Sequence, residues 1–371
     1  MSYSVYLVFF ELLKAGLWEQ SARLMPYEPL DFDALYKLAD EQSVVGLVAA
    51  GLEHVEDRKV KKPEAVQFLK RVFSLEGRNQ DINGFIHDLY GKMREAGILS
   101  VLVKGQGVGR CYVRPQWRAV GDVDLLLDAD NYDKAKAFLS PLASHIDKEA
   151  EENKHLGMTI DSWTVELHGT LHGHISKYAD AVVDQVQKEM MEQKRFRIWD
   201  NGGTEVLLPA PDEDVIFIFS HIQQHFFRGG IGLRQICDWT RVLWTFRESI
   251  DRSLLESRIR EMRMMTEWKA FAALAVDYLG MPADAMPLYD SSDRWRRKAR
   301  RISTFILRVG NFGHNRDRSI YKKYSYVVYK AISLGRHIGD FFENLFIFPL
   351  DSLRVLGGMF LDGVKAVMRG E

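Results

Sequence analysis

The sequence predicts an α+β fold in which a small mixed sheet core is flanked by N-terminal and C-terminal helical regions. Three observations support this prediction. Apolar residues recur at helical spacing over the first 95 residues, short apolar runs typical of strands follow over residues 98–209, and helical spacing returns from residue 212. With 46% hydrophobic and 27% charged residues in a chain of 371, such a fold can bury a large core.

This succession of patterns divides the chain into four expected regions. They are an N-terminal helical region at 1–80, an α/β core at 81–210, a helical domain at 211–290 that completes a cleft, and a basic helical region at 291–371. The length is also consistent with two to three domains of roughly 150 residues each.

The N-terminal elements are predicted to be amphipathic helices. Apolar side chains recur at helical intervals in VYLVFFELLKAGLW, in FDALYKLADEQSVVGLVAAGL and in VQFLKRVF. The pattern continues in DINGFIHDLYGKMRE, which we expect to form the last helix before the sheet.

The centre of the chain contains the strand signals. The apolar run ILSVLV at 98–103 is bounded by glycines and is typical of a buried strand. We expect a helix from Gly105 to Tyr112, a loop over 113–118, and a second strand, DVDLLL, at 122–127.

The rest of the core is predicted from one helix and two hairpin-like segments. ADNYDKAKAFLSPL is an amphipathic helix with Asp130 or Asn131 as its N-cap. MTIDSWTVELHGTL alternates in polarity, as expected of a bent strand or hairpin. FRIWDNGGTEVLLP is a hairpin that turns at Asn201-Gly202-Gly203.

From Asp212 onward the sequence is helical again. DEDVIFIFSHIQQHFF has three acidic residues in its first turn, where the positive end of the helix dipole favours them. LRQICDWTRVLWTF, LLESRIREMRMM and WKAFAALAVDYLG follow as amphipathic helices, up to a break at Pro282 and Pro287. Residues 292–371 are predicted to be helical and locally basic.

Charge and cysteine content disfavour several classes of protein. The 50 basic and 51 acidic residues leave a net charge of −1, so the whole protein has no field that would attract nucleic acid or an anionic membrane. Two distant cysteines exclude a disulfide scaffold and suit a reducing cytoplasm. The N-terminus lacks the basic region of a signal peptide, and no stretch of about 18 uncharged apolar residues predicts a membrane span.

Asp122 and Asp124 are the candidate catalytic residues. Alternate side chains of a strand share a face, so both carboxylates should point the same way at the rim of the sheet. Two like charges there favour a divalent cation, and oxygen ligands suit Mg²⁺. One or two Mg²⁺ ions at such a site would support in-line displacement at phosphorus. Two solvent-facing acids at the end of an edge strand are the alternative interpretation.

Lys104 and Gly105 lie upstream of this pair, at a strand-to-helix turn. Backbone N–H groups and the positive end of the helix could contact phosphates there, and Lys104 could add a cation for a triphosphate. The P-loop pattern and the Rossmann fingerprint are both absent. A tight turn without a ligand is an equally simple interpretation.

Glu166 is the candidate third acid. Thr164, Glu166 and His168 alternate with apolar residues, so Glu166 should lie on the polar face of a strand next to the two aspartates. It could be a metal ligand or the base that activates an acceptor hydroxyl. An exposed strand glutamate is the alternative.

Together these residues resemble the nucleotidyltransferase superfamily, which includes DNA polymerase β and the kanamycin and lincosamide nucleotidyltransferases. More narrowly, over about residues 35–250 the chain resembles a bacterial family of uncharacterised nucleotidyltransferases. That family combines a Lys-Gly turn, a tyrosine and proline stretch, R-x-x-G-D-[IV]-D-L-L, E-x-H, a helix with paired histidines, and L-R-x-x-x-D. The matching residues here are Lys104, Gly105, Tyr112, Pro115, Arg118, Gly121, Asp122, Asp124, Glu166, His168, His221, His225, Arg234 and Asp238.

The resemblance implies a nucleotidyltransferase-type sheet and an NTP substrate with an unidentified acceptor. It implies that Asp122, Asp124 and Glu166 bind Mg²⁺. It further implies that Arg118 orients the aspartates or touches phosphate, with a structural salt bridge as the alternative.

One departure from the superfamily concerns the turn before the acids. The usual Gly-Ser pair contacts the triphosphate through its hydroxyl and amides, whereas here Gly105 is followed by Gln106. We expect Lys104 to take over part of this role. Lys104, Gly105 and Gln106 are therefore all candidate nucleotide-binding residues.

The histidines give a second group of candidates. His221 and His225 lie four residues apart on a predicted helix and share a face, and we expect them, with His168, to contact the nucleotide or the acceptor. Histidines satisfied by hydrogen bonds in the core or at the surface are the alternative. A zinc hydrolase built from these residues with His172 and His174 is disfavoured, because the H-E-x-x-H signature is absent.

Two charged features remain. Arg234 and Asp238 are predicted to form an i, i+4 salt bridge on one helix. The basic run RWRRKARR at 294–301, followed by further basic and tyrosine residues up to 326, could bind RNA or anionic lipid. A solvated helix face is the favoured interpretation, so nucleic acid is a partner left open but not favoured.

Three functions are consistent with the sequence. The first is Mg²⁺-dependent transfer of NMP from an NTP to a hydroxyl or phosphate of a small molecule, sugar or protein. The second, motivated by the Gly-Gln turn, is a catalytically degenerate nucleotide-binding or regulatory protein of the same fold. The third is an RNA- or membrane-associated interaction protein acting through residues 294–326.

Overall fold

The protein folds into two sheets surrounded by helices. The computed structural model describes residues 3–150, 154–228, 230–310 and 339–355. The strands are β1 (Val101–Val103), β2 (Val123–Leu126), β3 (His145–Ile146), β4 (His155–Ile160), β5 (Trp163–His168), β6 (Phe196–Asn201) and β7 (Thr204–Pro209). The helices are α1 (Tyr3–Trp18), α2 (Phe32–Glu41), α3 (Val45–Glu53), α4 (Lys62–Glu95), α5 (Gly105–Gly109), α6 (Ala129–Leu139), α7 (Lys177–Gln193), α8 (Pro211–Arg228), α9 (Leu233–Thr245), α10 (Arg252–Glu261), α11 (Met265–Asp277) and α12 (Asp293–Val309). This arrangement confirms the predicted α+β class.

The larger sheet is mixed, with the strand order β1-β2-β5-β4-β3. β2 and β5 are parallel neighbours, and the other pairs are antiparallel. Every residue of β1 and β2 is buried, which agrees with the apolar runs that predicted these strands. The observed strand β1 is shorter than the apolar run at 98–103 that predicted it, because its pairing with β2 begins only at Val101.

Helix α4 joins two hydrophobic cores. Phe68 and Val72, in its first half, pack in the larger core with the N-terminal and C-terminal helices. Its second half, which includes Ile82 and Met93, packs in a second core together with the sheet. The expected boundary between residues 80 and 81 therefore falls inside one continuous helix of 34 residues, close to where its packing changes.

The hairpins and caps show how local sequence sets the element ends. β6 and β7 turn at Gly202 and Gly203, whose φ values of 63° and 92° suit glycine, as predicted for this hairpin. The segment predicted as a bent strand or hairpin is the β4–β5 hairpin. Helix α6 is capped by Asp128, whose carboxylate accepts from the Asn131 backbone N–H at 2.8 Å, so the predicted cap at Asp130 or Asn131 was wrong.

The C-terminal half forms a helical layer beside the sheet. Helix α8 begins with Asp212, Glu213 and Asp214 in its first turn, as the sequence predicted. Residues 339–347 and 349–355 are also helical. In the described residues, no helix combines the length and the apolarity that crossing a bilayer would require.

Part of the predicted basic region lies outside the described residues. The helix prediction for 311–338 and 356–371 falls there, and so do the basic and tyrosine residues between 316 and 326. Helix α12, which carries the run 294–301, is described in full.

Candidate active site

A cleft of about 620 Å³ lies between the edge of the larger sheet and helices α8 and α9. Its size is in the range of small-molecule pockets, which is roughly 300–1,000 Å³. Lys104 and the three candidate acids line its sheet side, and His221, His225 and Arg234 line its helical side. The cleft therefore brings together most of the site residues predicted from the sequence.

The acidic group is set by the register of two parallel strands. Asp124 in β2 lies directly opposite Glu166 in β5. Asp122 comes just before β2 and is exposed at the rim, whereas Asp124 is buried. The alternation that places both aspartates on the cleft side also sends Val123 and Leu125 into the core of the sheet.

Lys104 reaches this group from the end of β1. Its Nζ donates to Asp124 Oδ1 at 3.0 Å. Its backbone has φ 57° and ψ −142°, a conformation that costs a residue other than glycine about 1–3 kcal/mol. The next residue, Gly105, has φ 40°, and a Cβ there would lie 3.2 Å from the Asp122 carbonyl oxygen. This strained turn fixes Lys104 against the acids.

His168 lies between two of the acids. Its Nε2 donates to Asp124 Oδ1 at 2.9 Å and lies 3.4 Å from Glu166 Oε2. Burial lowers the pKa of His168, but the hydrogen bonds to Asp124 and Glu166 outweigh it, so the pKa is raised. His168 thus contacts the carboxylates while also lining the cleft, and its contact with nucleotide stays a prediction.

The three carboxylates differ in their electrostatics. Desolvation is the main cause that raises the pKa of Asp122, and the negative charges of Glu166 and Asp124 raise it further. Burial would also raise the pKa of Asp124, but Lys104 and His168 lower it overall. Glu166 behaves in the same way: burial is outweighed by its hydrogen bonds to His155 and His168, and its pKa lies well below the usual range. Asp124 and Glu166 are therefore ionised, and Asp122 experiences their repulsion.

Arg118 lies in the wall of the cleft, where it forms a largely buried ion pair. Its Nε and Nη2 donate to Asp238 Oδ1 and Oδ2 at 2.8 and 2.7 Å, and the Tyr112 hydroxyl donates to the same carboxylate at 2.7 Å. The Arg118 side chain is only 5% exposed. Of the two interpretations left open for Arg118, these contacts favour the structural salt bridge.

Arg234 has a different partner from the one predicted. Asp238 forms its ion pair with Arg118, so the predicted pairing of Arg234 with Asp238 was wrong. Arg234 Nη1 instead donates to the carbonyl oxygens of Ala119 and Val120 at 3.3 and 3.5 Å. Arg234 and the Arg118–Asp238 pair therefore hold the loop that leads into Asp122.

Gln106 points away from the cleft. Its Nε2 donates to Asn79 Oδ1 at 3.1 Å and to Asn83 Oδ1 at 2.7 Å, both on α4. It lines a second cavity of about 320 Å³ on the far side of α5. The rotation of α5 turns the Gln106 side chain toward α4, and the binding of nucleotide by Gln106 stays a prediction.

His221 and His225 face the cleft from α8, with ring centroids 4.3 Å apart. Burial is the main cause that lowers the pKa of both imidazoles, and the positive charge of Lys104 lowers it further. The pKa of His225 falls to about 4. Both rings are consequently neutral near pH 7. Their contact with nucleotide or acceptor stays a prediction.

His155 is a residue of the site that the sequence analysis missed. It pairs with His168 across the β4–β5 hairpin, and its Nε2 lies 3.3 Å from Glu166 Oε2. Recognising it requires the start of β4 and the register of the hairpin. The alternation in HLGMTI, with histidine at its first position, was the available signal.

The histidines considered for a zinc hydrolase do not form one cluster. His172 Nδ1 lies 2.9 Å from Asp184 Oδ1, and its ring contacts that of His174. Within the described ranges, the group with donor atoms close enough for a metal ion is His155, Glu166 and His168.

The basic run on α12 has the geometry of a solvated helix face. Trp295, Ala299 and Ile302 are buried along one side, whereas Arg297 and Arg300 on the other side are exposed. Its described part therefore agrees with the interpretation favoured from the sequence.

Comparison with known proteins adds one finding to this geometry. A family model described as uncharacterised nucleotidyltransferase matches residues 28–280, a range that contains the whole cleft. No curated protein matches the chain, and neither does any solved structure.

Proposed function

The chain belongs to this family of uncharacterised nucleotidyltransferases, and from that premise we propose that it transfers the NMP group of an NTP to an acceptor bound in the cleft. The observation that supports this reaction best is the convergence of Asp122, Asp124 and Glu166 on the cleft, with Lys104 beside them. In such a reaction an acceptor oxygen forms a bond to the α-phosphorus, pyrophosphate leaves, and the acceptor proton passes to a base or water.

The donor set fits a divalent cation. The carboxylates of Asp122, Asp124 and Glu166 face one open cleft, and desolvation together with the charges of Glu166 and Asp124 raises the pKa of Asp122. Mg²⁺ is commonly held by one or two carboxylates together with substrate phosphates. These three residues would hold it, and when bound it would supply positive charge at the transferring phosphoryl group.

The charge state of Glu166 helps to assign its role. A carboxylate with a pKa far below neutrality is a weak base, and efficient general bases have pKa values near the working pH. Between the two roles predicted for Glu166, we therefore favour the metal ligand. Lys104 can supply its ammonium to the phosphates, since it is 19% exposed at the cleft.

The acceptor side is proposed to be the wall formed by α8 and α9. The neutral imidazoles of His221 and His225 can each donate and accept hydrogen bonds, which suits a hydroxyl-bearing acceptor. Arg234 adds a cation on the same wall.

The proposal is tested by incubating the purified protein with each α-labelled NTP, Mg²⁺ and a panel of candidate acceptors. Pyrophosphate release and label transfer are the expected results, and both should be lost in Asp124→Asn. Asp133→Asn, an exposed acid on α6, is the matched control and should keep both activities. Equal turnover by wild type and Asp124→Asn would show that the carboxylates are not the catalytic group.

A second candidate is a nucleotide-binding protein without turnover. It is supported by the orientation of Gln106 away from the cleft and by the pairing of Lys104 with Asp124. It predicts that NTP and Mg²⁺ raise the melting temperature while no pyrophosphate is released with any acceptor.

A further inference from the structure

We infer that His155, Glu166 and His168 form a binding site for a first-row transition-metal ion of the Zn²⁺ type. The site lies on the β4 side of the cleft. Its catalytic meaning rests on the proposed function, but the binding of the metal is independent of NTP.

The geometry of the three side chains fits a tetrahedral metal ion. The donor atoms of the three side chains all lie within 4.8 Å of one another. Glu166 Oε2 is 3.3 Å from His155 Nε2 and 3.4 Å from His168 Nε2. In a tetrahedral zinc site with bonds of about 2.0–2.1 Å, neighbouring donors are about 3.3 Å apart. The two measured separations correspond to edges of such a tetrahedron.

The separations between Glu166 and the two histidines are long for hydrogen bonds. Charge-assisted N–H···O contacts are usually about 2.7–2.9 Å. The bond between His168 and Asp124 has this length, at 2.9 Å, whereas both contacts of Glu166 with histidine are longer. The Glu166 carboxylate is thus spaced for a shared ion more than for direct bonds to the two rings.

The chemistry of the donor atoms also favours a transition-metal ion. Imidazole nitrogen suits Zn²⁺ and its first-row neighbours, while Mg²⁺ prefers oxygen ligands. Two imidazoles with one carboxylate are therefore a poor set for Mg²⁺. They differ in kind from the all-oxygen set proposed for Mg²⁺, Asp122, Asp124 and Glu166, with which this site shares Glu166.

The positions of the donors also leave room for a further ligand. Glu166 and His168 belong to β5 and His155 to its hairpin partner β4, so hydrogen-bonded strands hold all three. His155 is 40% exposed toward the cleft. Metal sites that act on substrates keep an open coordination position in this way.

The test uses the metal-free protein, with all 371 residues of this chain, in the absence of nucleotide. It is titrated with Co²⁺, whose visible absorption reports imidazole ligands and low coordination number, and then with Zn²⁺ in competition. We expect the wild type to develop the Co²⁺ spectrum and His155→Ala to bind Co²⁺ more weakly by about 100-fold or more. His155→Gln should behave like His155→Ala, and Mg²⁺ in equal amount should not displace Co²⁺.

The matched control is His145→Ala, which removes a histidine of the neighbouring strand β3 whose side chain is 70% exposed. It should bind Co²⁺ like the wild type. No Co²⁺ spectrum in the wild type, equal affinity in His155→Ala, or displacement by Mg²⁺ would each overturn the inference. A protein that binds Co²⁺ but releases no pyrophosphate would retain this site and lose the proposed transfer reaction, so the two failures are distinguishable.

Discussion

The molecule contains two neighbouring polar clusters built from similar residue types. The cleft cluster comprises Lys104, Asp122, Asp124, Glu166 and His168, and the buried cluster comprises Tyr112, Arg118 and Asp238. In the buried cluster one cation meets one carboxylate in a bidentate pair whose side chains are only 5% and 9% exposed, although both also line the wall of the cleft. In the cleft cluster three carboxylates face Lys104 and His168 beside an open cavity. A matched charge away from water indicates a structural role, whereas surplus charge beside a cavity indicates a place for a ligand.

The sharpest test of this contrast is Asp124→Asn. Because Asp124 is the central acid of the cleft cluster, we expect turnover to fall about 10³-fold, equivalent to about 4 kcal/mol of transition-state stabilisation. The fold should persist, since asparagine keeps the shape of the side chain and can still accept from Lys104 and His168. Steady-state kinetics and thermal melting on the same preparation measure both effects. A large loss of stability with unchanged turnover would reverse the roles assigned to the clusters.

The buried cluster should show the opposite behaviour. Asp238→Asn leaves the buried Arg118 guanidinium without its counter-charge, and breaking such a pair typically costs about 3–5 kcal/mol. Urea unfolding monitored by circular dichroism would measure this loss.

The double variant Arg118→Met/Asp238→Asn provides the control for that experiment. It removes both charges, and the amide oxygen of the introduced asparagine would still accept from the Tyr112 hydroxyl. The free energy of unfolding should therefore fall by less than the sum of the losses in the two single variants. Additive losses would mean that the pair is not coupled in the folded protein.

The same comparison shows what a sequence can reveal. Strand alternation was enough to predict that Asp122, Asp124 and Glu166 lie at one edge of the sheet, because the period of a strand is fixed by its backbone. It could not reveal that Asp238 pairs with Arg118, 120 positions away, in preference to Arg234 on its own helix. That choice depends on how α9 packs against the loop before β2, which local spacing does not encode.

Two further residues illustrate the same limit. The direction of Gln106 depends on the rotation of the short helix α5 against α4, and the role of His155 depends on the register of the β4–β5 hairpin. Both are tertiary properties. The overall class was predictable because it follows from the order of helical and strand patterns along the chain.

A third prediction extends the comparison to the neutral histidines of the cleft wall. The pKa of His225 is about 4 in the folded protein, below its ordinary value of 6.5, so the unfolded chain binds more protons between these values. Stability is therefore lost as pH falls through this window, by about 2 kcal/mol at pH 5 from this one group.

His225→Gln removes that contribution. Between pH 7 and pH 5 the variant should lose about 2 kcal/mol less stability than the wild type, measured by urea unfolding at each pH. Between pH 7 and pH 8, where the imidazole is neutral in both states, the two curves should run parallel. Identical losses down to pH 5 would show that His225 is not held neutral by the cleft.

The smallest effect is expected for charges that, among the described residues, have neither an ion-pair partner nor a neighbouring cavity. Arg297 and Arg300 are exposed on α12, opposite its buried apolar side. Arg297→Ser/Arg300→Ser should change the free energy of unfolding by less than about 0.5 kcal/mol, as is usual for surface positions. Turnover should also be unchanged, and filter binding should detect no salt-sensitive retention of RNA or anionic vesicles by either protein. Salt-sensitive binding that is lost in this variant would instead favour the interaction function, because neutralised phosphate contacts make affinity fall with salt. It would also show that exposed charge can mark a binding site without a cleft, contrary to the generalisation that the two clusters otherwise support.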